Sequence, residues 1–385
     1  MKTPHIYLVA GEASGDILGS RLIKALKEKI PDCTISGIGG PLMIGQGLKS
    51  LFPMQELSIM GILEIVPHIP RILRRLYETK QDILLKKPDL VITIDAKGFS
   101  FRLAKSLRKY GFPFVHYTAP SVWAWRPKRA EQIAHFLDHL LVLFPFEPPY
   151  FKKVGLPTTF VGHPLTEENF DLSKREFYRK KFSLTKDEKL ICLLPGSRTR
   201  EIHSLLPTFI ETLQNLKKKI KNFHIIIPTF PHFKMHIQQQ LEKTNLKFSI
   251  LTLEQEKYEA MIASDAAIAA SGTVALELGL TQTPFLIAYK VNFLTAFILK
   301  RLLHIPYVCM VNILLKNPVI GEFLQENCHP DLISLHLENI LQKENNQRLR
   351  HELCEVRKLL TNKNKKPSEF AAETILKILK THHRT

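Results

Sequence analysis

Ala266-Ala267-Ile268-Ala269-Ala270-Ser271-Gly272-Thr273-Val274-Ala275-Leu276-Glu277-Leu278 decides the fold class. Its opening residues are a short apolar run of the kind buried on both faces of a parallel sheet, and Val274 to Leu278 fit a helix. Ser271-Gly272-Thr273 is then a strand-to-helix turn. Such a turn directs unpaired backbone N–H groups and a positive dipole end at whatever sits above the sheet, and a phosphate suits that place. Glu277, one turn into the helix, is positioned to accept hydrogen bonds from sugar hydroxyls. The same residues also read as an ordinary turn, with Ser271 as helix cap, Gly272 as tight-turn residue and Glu277 as a solvated acid.

Outward from this stretch, Leu190 to Leu194, Phe223 to Ile227, Phe248 to Leu251 and Phe285 to Ile287 read as companion strands, with helices expected near 201–220, 233–244, 256–263 and 273–280. The turn after the first of these strands is Pro195-Gly196-Ser197-Arg198-Thr199-Arg200-Glu201. Glycine permits close backbone approach, and arginine offers a forked, permanently charged donor set suited to a diphosphate. Plain surface charge is the alternative for Arg198 and Arg200.

The N-terminal half repeats the scheme. Ile6 to Ala10 lead through Gly11-Glu12-Ala13-Ser14-Gly15-Asp16 into a helix over 17–30, with Leu18, Leu22, Ile23, Leu26 and Ile30 at helical spacing. The glycine spacing is not that of a dinucleotide fingerprint, and no P-loop lysine is present. A second glycine-rich turn, Gly37-Ile38-Gly39-Gly40-Pro41, ends another strand. Leu90 to Ile94 close on Asp95, and an acid at the carboxyl end of a parallel strand faces the ligand crevice. A helix over 101–110 and strands at 112–117 and 140–144 follow. This alternation predicts an α/β protein of two Rossmann-like domains facing a cleft. The charged segment Thr166 to Lys189 reads as linker plus helix. Domains are therefore expected at 1–165 and 166–350, with helices at 335–360 and 368–380 and a terminal segment, 351–385, able to pack back on the first domain.

A length of 385 residues agrees with two domains of roughly 150 to 200 residues each. Net charge is the unusual feature. At +18 the chain attracts nucleic acid, an anionic membrane face or phosphorylated substrates. Its five cysteines (Cys33, Cys192, Cys309, Cys328, Cys354) are scattered and never spaced as C-x-x-C, which points to a reducing cytosol and no zinc site. Ile6 to Ala10 are too few for a signal-peptide core. The apolar neighbourhood Phe293 to Leu315 is cut by Lys300, Arg301, His304 and Pro306, short of the roughly 20 apolar residues of a membrane span. A soluble or peripheral protein is expected. There is no D-x-D pair, so no metal site is expected, and arginine with helix ends must neutralise a bound diphosphate. His163, in Gly162-His163-Pro164, could face the cleft, but it reads more readily as a loop histidine with a structural hydrogen bond.

Two further stretches stand out. Ser121-Val122-Trp123-Ala124-Trp125-Arg126-Pro127-Lys128-Arg129 sets both tryptophans beside three cations. The pattern suits either base stacking or anchoring of a loop, and without a nucleic-acid-binding fold around it no nucleic-acid partner is expected. Met60 to Leu76 is richer in apolar residues than a surface helix needs, has prolines that interrupt a buried helix, and mixes arginines with Ile and Leu. It reads either as an insertion into an anionic headgroup layer or as a core helix preceded by a loop.

Ala10-Gly11-Glu12-Ala13-Ser14-Gly15-Asp16, Gly37 to Pro41, Ser121 to Arg126, Pro145-Phe146-Glu147, Gly162-His163-Pro164-Leu165, Leu194 to Arg198 and Ala270 to Thr273 with Glu277 occur in order along nearly the whole chain. In these motifs the chain resembles the lipid-A-disaccharide synthases, inverting glycosyltransferases of the GT-B type. The resemblance implies transfer of 2,3-diacylglucosamine from its UDP derivative to the 6-hydroxyl of 2,3-diacylglucosamine 1-phosphate, with no cofactor, since the UDP-sugar is a substrate. It implies UDP-sugar binding by Ser197, Arg198, Ser271, Gly272, Thr273, Glu277, Asn312 and Gln325. It also implies a cytoplasmic protein peripheral on the anionic inner-membrane face, docked by Ile62, Leu63, Ile65, Val66, Ile69, Ile72, Leu73 and Leu76; a homodimer stays open. Where the family reads D-x-P-D-F this chain has Asp95-Ala96-Lys97-Gly98-Phe99, so the second acid, commonly the catalytic base, is glycine. Asp95 is the remaining acid there, and Glu12 or Asp16 on the Gly11 turn are further candidates for the base. Met310-Val311-Asn312 and Gly321-Glu322 are smaller departures. The alternatives are another sugar-nucleotide transferase or epimerase on the same fold, or a catalytically silent basic membrane-binding homologue.

Overall fold

The structure is a computed structural model that describes residues 3–57, 66–185, 187–291, 305–363 and 365–382. It divides into two units, Met1–Glu167 with Leu360–Thr385, and Glu168–Leu359. The first unit runs β1 (His5–Ala10), α1 (Ala13–Lys29), β2 (Thr34–Ile38), α2 (Pro41–Gly45), β3 (Lys49–Ser50), α3 (Ile69–Lys86), β4 (Leu90–Ile94), α4 (Lys97–Leu107), β5 (Phe114–Tyr117), α5 (Arg129–Ala134), β6 (His139–Val142), α6 (Pro148–Lys152) and β7 (Thr158–Phe160). All pairings are parallel, in the order β3-β2-β1-β4-β5-β6-β7.

The second unit follows the same plan. It comprises α7 (Arg175–Lys181), β8 (Lys189–Leu194), α8 (Thr199–Lys217), β9 (Phe223–Pro228), α9 (Pro231–Leu241), β10 (Phe248–Leu251), α10 (Glu254–Ala263), β11 (Ala266–Ala270), α11 (Val274–Leu280), β12 (Phe285–Tyr289), α12 (Met310–Leu315), β13 (Gly321–Leu324), α13 (Pro330–Leu341) and α14 (Lys343–Leu360). Its parallel sheet is ordered β10-β9-β8-β11-β12-β13. In both sheets the strand order reverses beside the first strand, between β1 and β4 and between β8 and β11. These reversals open the crevices where α/β sheets bind ligands.

The cores follow from the apolar runs. Ile6, Tyr7, Leu8 and Val9 of β1 are fully buried, as parallel strands covered on both faces require. Each such side chain contributes roughly 1.5–3 kcal/mol of burial. Helix α15 (Pro367–His382) places Phe370, Ala371, Ala372, Ile375 and Leu379 in the first core. Helix α14, in contrast, places Leu349 in the second core and fixes Arg350 to the carbonyls of Ser264 (2.6 Å) and Gln282 (2.9 Å). The chain therefore returns to the first unit near Leu360, where His163 N–H donates to the Leu360 carbonyl (2.9 Å) and Ser368 N–H to Glu167 Oε1 (2.8 Å).

Several elements differ from the sequence reading. Strands β3, β7 and β13 are short edge or near-edge strands without an apolar run to announce them. The stretch 335–360 is two helices, because Gln342 at φ −65°, ψ 137° leaves the helical region. Helix α3 is not interrupted by proline: Pro70 sits in its first turn, where the missing N–H costs nothing. On α3, Ile69 and Leu73 are exposed (43% and 54%), while Ile72 and Leu76 pack on the first core. Ile62, Leu63 and Ile65 lie outside the described residues, and Val66 begins a short 3-10 turn ahead of α3. Among the described residues no helix is long and apolar enough to cross a membrane.

Candidate active site

A pocket of about 780 Å3 opens at the crevice between β8 and β11. Its walls include Gly196, Ser197, Arg198, Thr229, Lys257, Ser271, Gly272, Thr273 and Glu277. The two turns singled out in the sequence thus meet in one cavity, because β8 and β11 are hydrogen-bonded neighbours although more than seventy residues separate them.

The β8 turn depends on Gly196, whose φ of +122° belongs to glycine. A Cβ there would lie 2.6 Å from Glu201 Oε2. Glu201 fills that space. Its Oε2 accepts from Ser197 N–H (3.0 Å) and its Oε1 from Arg198 Nη1 (3.1 Å), so the turn is tied to the first turn of α8. The Arg198 side chain stays 69% exposed over the pocket. At the β11 turn, the N–H groups of Gly272 and Thr273 have no acceptor among the described residues. Gly272 has open space where a Cβ would be and an ordinary φ, so it keeps room beside the turn rather than making a tight bend.

Glu277 Oε1 accepts from Lys257 Nζ (2.8 Å) and from Tyr258 Oη (3.3 Å), which leaves Oε2 without a protein partner among the described residues. Burial, and then the Glu277 charge, push the Tyr258 phenol well above its ordinary range, so it stays a donor to this carboxylate. Thr229 Oγ1 is buried in the same wall without a partner among the described residues. A concave site with unpaired N–H groups, two cations, an oriented carboxylate and an unsatisfied hydroxyl is equipped to hold an anionic ligand that carries hydroxyl groups.

Asn312 and Gln325 do not line this pocket. Asn312 is buried, donates from Nδ2 to the Ile320 carbonyl (2.8 Å) and Glu322 Oε1 (2.9 Å), and accepts Ile320 N–H at Oδ1 (2.8 Å). Its amide braces α12 against β13, a use a motif match does not reveal. The Gln325 amide pairs with the backbone of Val291.

In the first unit, the turns after β1 and β4 come together at the equivalent crevice. A Cβ on Gly11 would lie 2.5 Å from that of Ala96, so only glycine lets these turns approach. Asp95 and Ala96 adopt left-handed conformations at φ +52° and +43°, two successive non-glycine residues in a region that costs energy. Asp95 Oδ2 accepts from Ser14 Oγ (2.9 Å), and Lys97 Nζ stands 3.8 Å from Oδ1. Glu12 stands at the N-cap position of α1 beside this group, and burial followed by the Asp95 charge raises its carboxyl above the ordinary range, with Lys97 opposing. Gly98 has ample room, the nearest atom to a Cβ being Arg102 Nη1 at 3.9 Å.

Asp16 is a correction. Its buried carboxylate accepts the N–H groups of Gly40 (2.9 Å), Leu42 (3.0 Å) and Met43 (2.9 Å), so it caps α2 and holds the second glycine-rich turn rather than standing open to a hydroxyl. His163 is buried near Phe144, its Nδ1 accepts Leu165 N–H (3.3 Å), and burial lowers its pKa to about 4. The sequence reading overlooked Lys257, Tyr258 and Thr229, which carry no motif. Glu201, three residues after Arg198 with opposite charge, was detectable as a helix-start pair.

A family model described as lipid-A-disaccharide synthetase matches residues 6–376. A lipid-A-disaccharide synthase from Rhodospirillum centenum is 42% identical over 98% of this chain and 96% of its own length. One from Paramagnetospirillum magneticum is 44% identical over 88% of each. Among solved structures, Staphylococcus aureus MnaA with UDP (TM-score 0.64, 14% identity, 99% and 97% covered) and Acinetobacter baumannii MurG (TM-score 0.61, 13% identity, 97% and 99% covered) share the fold. With two Rossmann-like units of matching strand order and a family match across almost its whole length, the chain belongs to the lipid-A-disaccharide synthase family.

Proposed function

We propose that this chain joins UDP-2,3-diacylglucosamine to 2,3-diacylglucosamine 1-phosphate, giving the lipid A disaccharide 1-phosphate and UDP. The observation that carries the reading is the convergence of the Gly196 to Arg198 and Ser271 to Thr273 turns on one pocket with Glu277 in its wall. The turn N–H groups, Arg198 and Lys257 offset the charge that grows on the diphosphate as its bond to the anomeric carbon breaks. Glu277 Oε2 orients the donor by its sugar hydroxyls. The 6-hydroxyl oxygen of the acceptor forms the new bond to the anomeric carbon from the opposite face, and its proton passes to a carboxylate. We assign that role to Asp95, with Ser14 and Lys97 orienting the carboxylate, and Glu12 as neighbour. Ile69 and Leu73, exposed on a helix rich in arginine, suit docking at an anionic membrane surface, where acylated substrates reside.

The test is direct. Purified protein incubated with both acylated substrates yields a disaccharide and one UDP per disaccharide; no product, with UDP binding intact, overturns the reading.

A further inference from the structure

The loop between β5 and α5 carries the tryptophan and arginine stretch that the donor pocket leaves unused. Beside it lies a second cavity of about 670 Å3, lined by Arg126, Pro127, Lys128, Arg129 and Gln132. Its lining holds three cations and no acid. Other arginines of this unit are matched by carboxylates, Arg75 by Glu56 (2.6 Å) and Glu78 (2.6 Å) and Arg108 by Asp138 (2.8 Å), or by carbonyls, Arg21 by that of Pro164 (2.8 Å) and Arg102 by that of Gly98 (3.1 Å). Arg126, Lys128 and Arg129 form no ion pair among the described residues, nor does Glu131, the one acid between positions 121 and 137.

The arginines are also held in place. The Arg126 guanidinium lies over the Trp125 ring at 4.5 Å, and that of Arg129 over Phe101 at 5.4 Å. Arg126 sits at φ +55°, a left-handed conformation that a non-glycine residue adopts at some cost. Burial, and then the Arg126 charge, lower the Arg129 pKa, so like charges are gathered against their own repulsion. The cavity also has a definite place in the sheet. Phe101 belongs to α4, which begins at Lys97 just after Asp95, and the charges of both Lys97 and Arg129 act on His116 of β5. The cations cluster near the carboxyl ends of β4 and β5, braced by aromatic rings and without an ion pair among the described residues.

We propose that Arg126, Lys128 and Arg129 form a subsite for a phosphate monoester, the one carried by the acceptor sugar. The proposal rests on the transferase reading above and adds to it what distinguishes the acceptor from its dephosphorylated form. Guanidinium groups fixed on aromatic faces present their N–H edges outward, the geometry that phosphate oxygens accept.

The experiment compares kcat/KM for the phosphorylated acceptor with that for the same acylated sugar lacking phosphate, in the wild type, in Arg126→Gln/Arg129→Gln and in Lys128→Gln alone. The wild type prefers the phosphorylated acceptor, and the double variant lowers this preference about ten-fold or more. Lys128→Gln, an exposed loop change, lowers it to a smaller extent and guards against a folding defect in the double variant. An unchanged preference in both variants overturns the subsite. Sedimentation with phosphatidylglycerol vesicles forms the second arm: lost vesicle binding with unchanged preference assigns the cations to lipid headgroups and refutes the proposal. Should the wild type show no turnover at all, the transferase reading fails by itself. Calorimetric affinity for the phosphorylated sugar then still reads the subsite, with weaker binding by the double variant supporting it and equal binding overturning it.

Discussion

Replacing Asp95 by asparagine isolates proton acceptance from architecture. The residue sits at φ +52°, and asparagine is among the few side chains that tolerate this region, so the turn between β4 and α4 survives the change. An amide oxygen still accepts from Ser14 Oγ, now at 2.9 Å from Asp95 Oδ2. Only the ability to take a proton is lost. A positioned general base contributes roughly 10²–10⁴-fold, and at about 1.36 kcal/mol per decade the lower bound is about 2.7 kcal/mol of barrier. We expect kcat to fall by roughly 10²-fold or more with donor affinity retained. The assay is UDP release at saturating substrates across a range of pH, with a melting curve as control. Glu12 supplies the internal check, because its carboxyl is raised first by burial and then by the Asp95 charge. Were Glu12 the base, Asp95→Asn would leave kcat near normal and move the acidic limb of the profile to lower pH, since a repelling charge is gone. That result refutes the assignment to Asp95.

Glu277→Ala removes the carboxylate that Lys257 and Tyr258 orient, and the loss of charge-assisted bonds to the donor weakens UDP-sugar binding by about ten- to a hundred-fold; unchanged calorimetric affinity would sink the pocket assignment. Burial raises the Glu147 carboxyl from 4.5 to about 7, with the Phe144 N–H bond opposing. The native state therefore keeps a proton that the unfolded chain releases, and stability declines as pH rises through that window, by on the order of 3 kcal/mol in total. Glu147→Gln removes this dependence, so its melting temperature exceeds that of the wild type at about pH 8 but not at about pH 4; equal melting at the higher pH contradicts the shift. Ile69→Ser/Leu73→Ser weakens binding to anionic vesicles by about ten-fold or more without lowering the melting temperature, whereas Ile72→Ser lowers it, because Ile72 packs on the core. Vesicle affinity indifferent to the exposed pair excludes this face as the dock.

The amino-acid sequence by itself determined the α/β class, the strand runs of both sheets apart from β3, β7 and β13, and the turns that follow β1, β4, β8 and β11. These are local properties: an apolar run buried on two faces, a glycine where backbone must pass closely, an arginine where charge is needed. Tertiary structure decided which side chains spend their polar groups on the protein itself. Asp16 and Asn312 sit in motifs as Glu12 and Glu277 do, yet Asp16 is consumed by N–H groups of Gly40, Leu42 and Met43, and Asn312 by Ile320 and Glu322. Conversely Lys257, unmarked in the sequence, reaches Glu277 because α10 and α11 flank the same strand, β11. On α3 the period of the apolar residues could not tell Ile69 and Leu73 from Ile72 and Leu76, since all suit one amphipathic helix. Packing on the first core exposes the first pair and partly buries the second. A hydrogen-bonding group has few partners and finds them across long separations in the chain, so its availability to a ligand is settled only when the fold has closed around it.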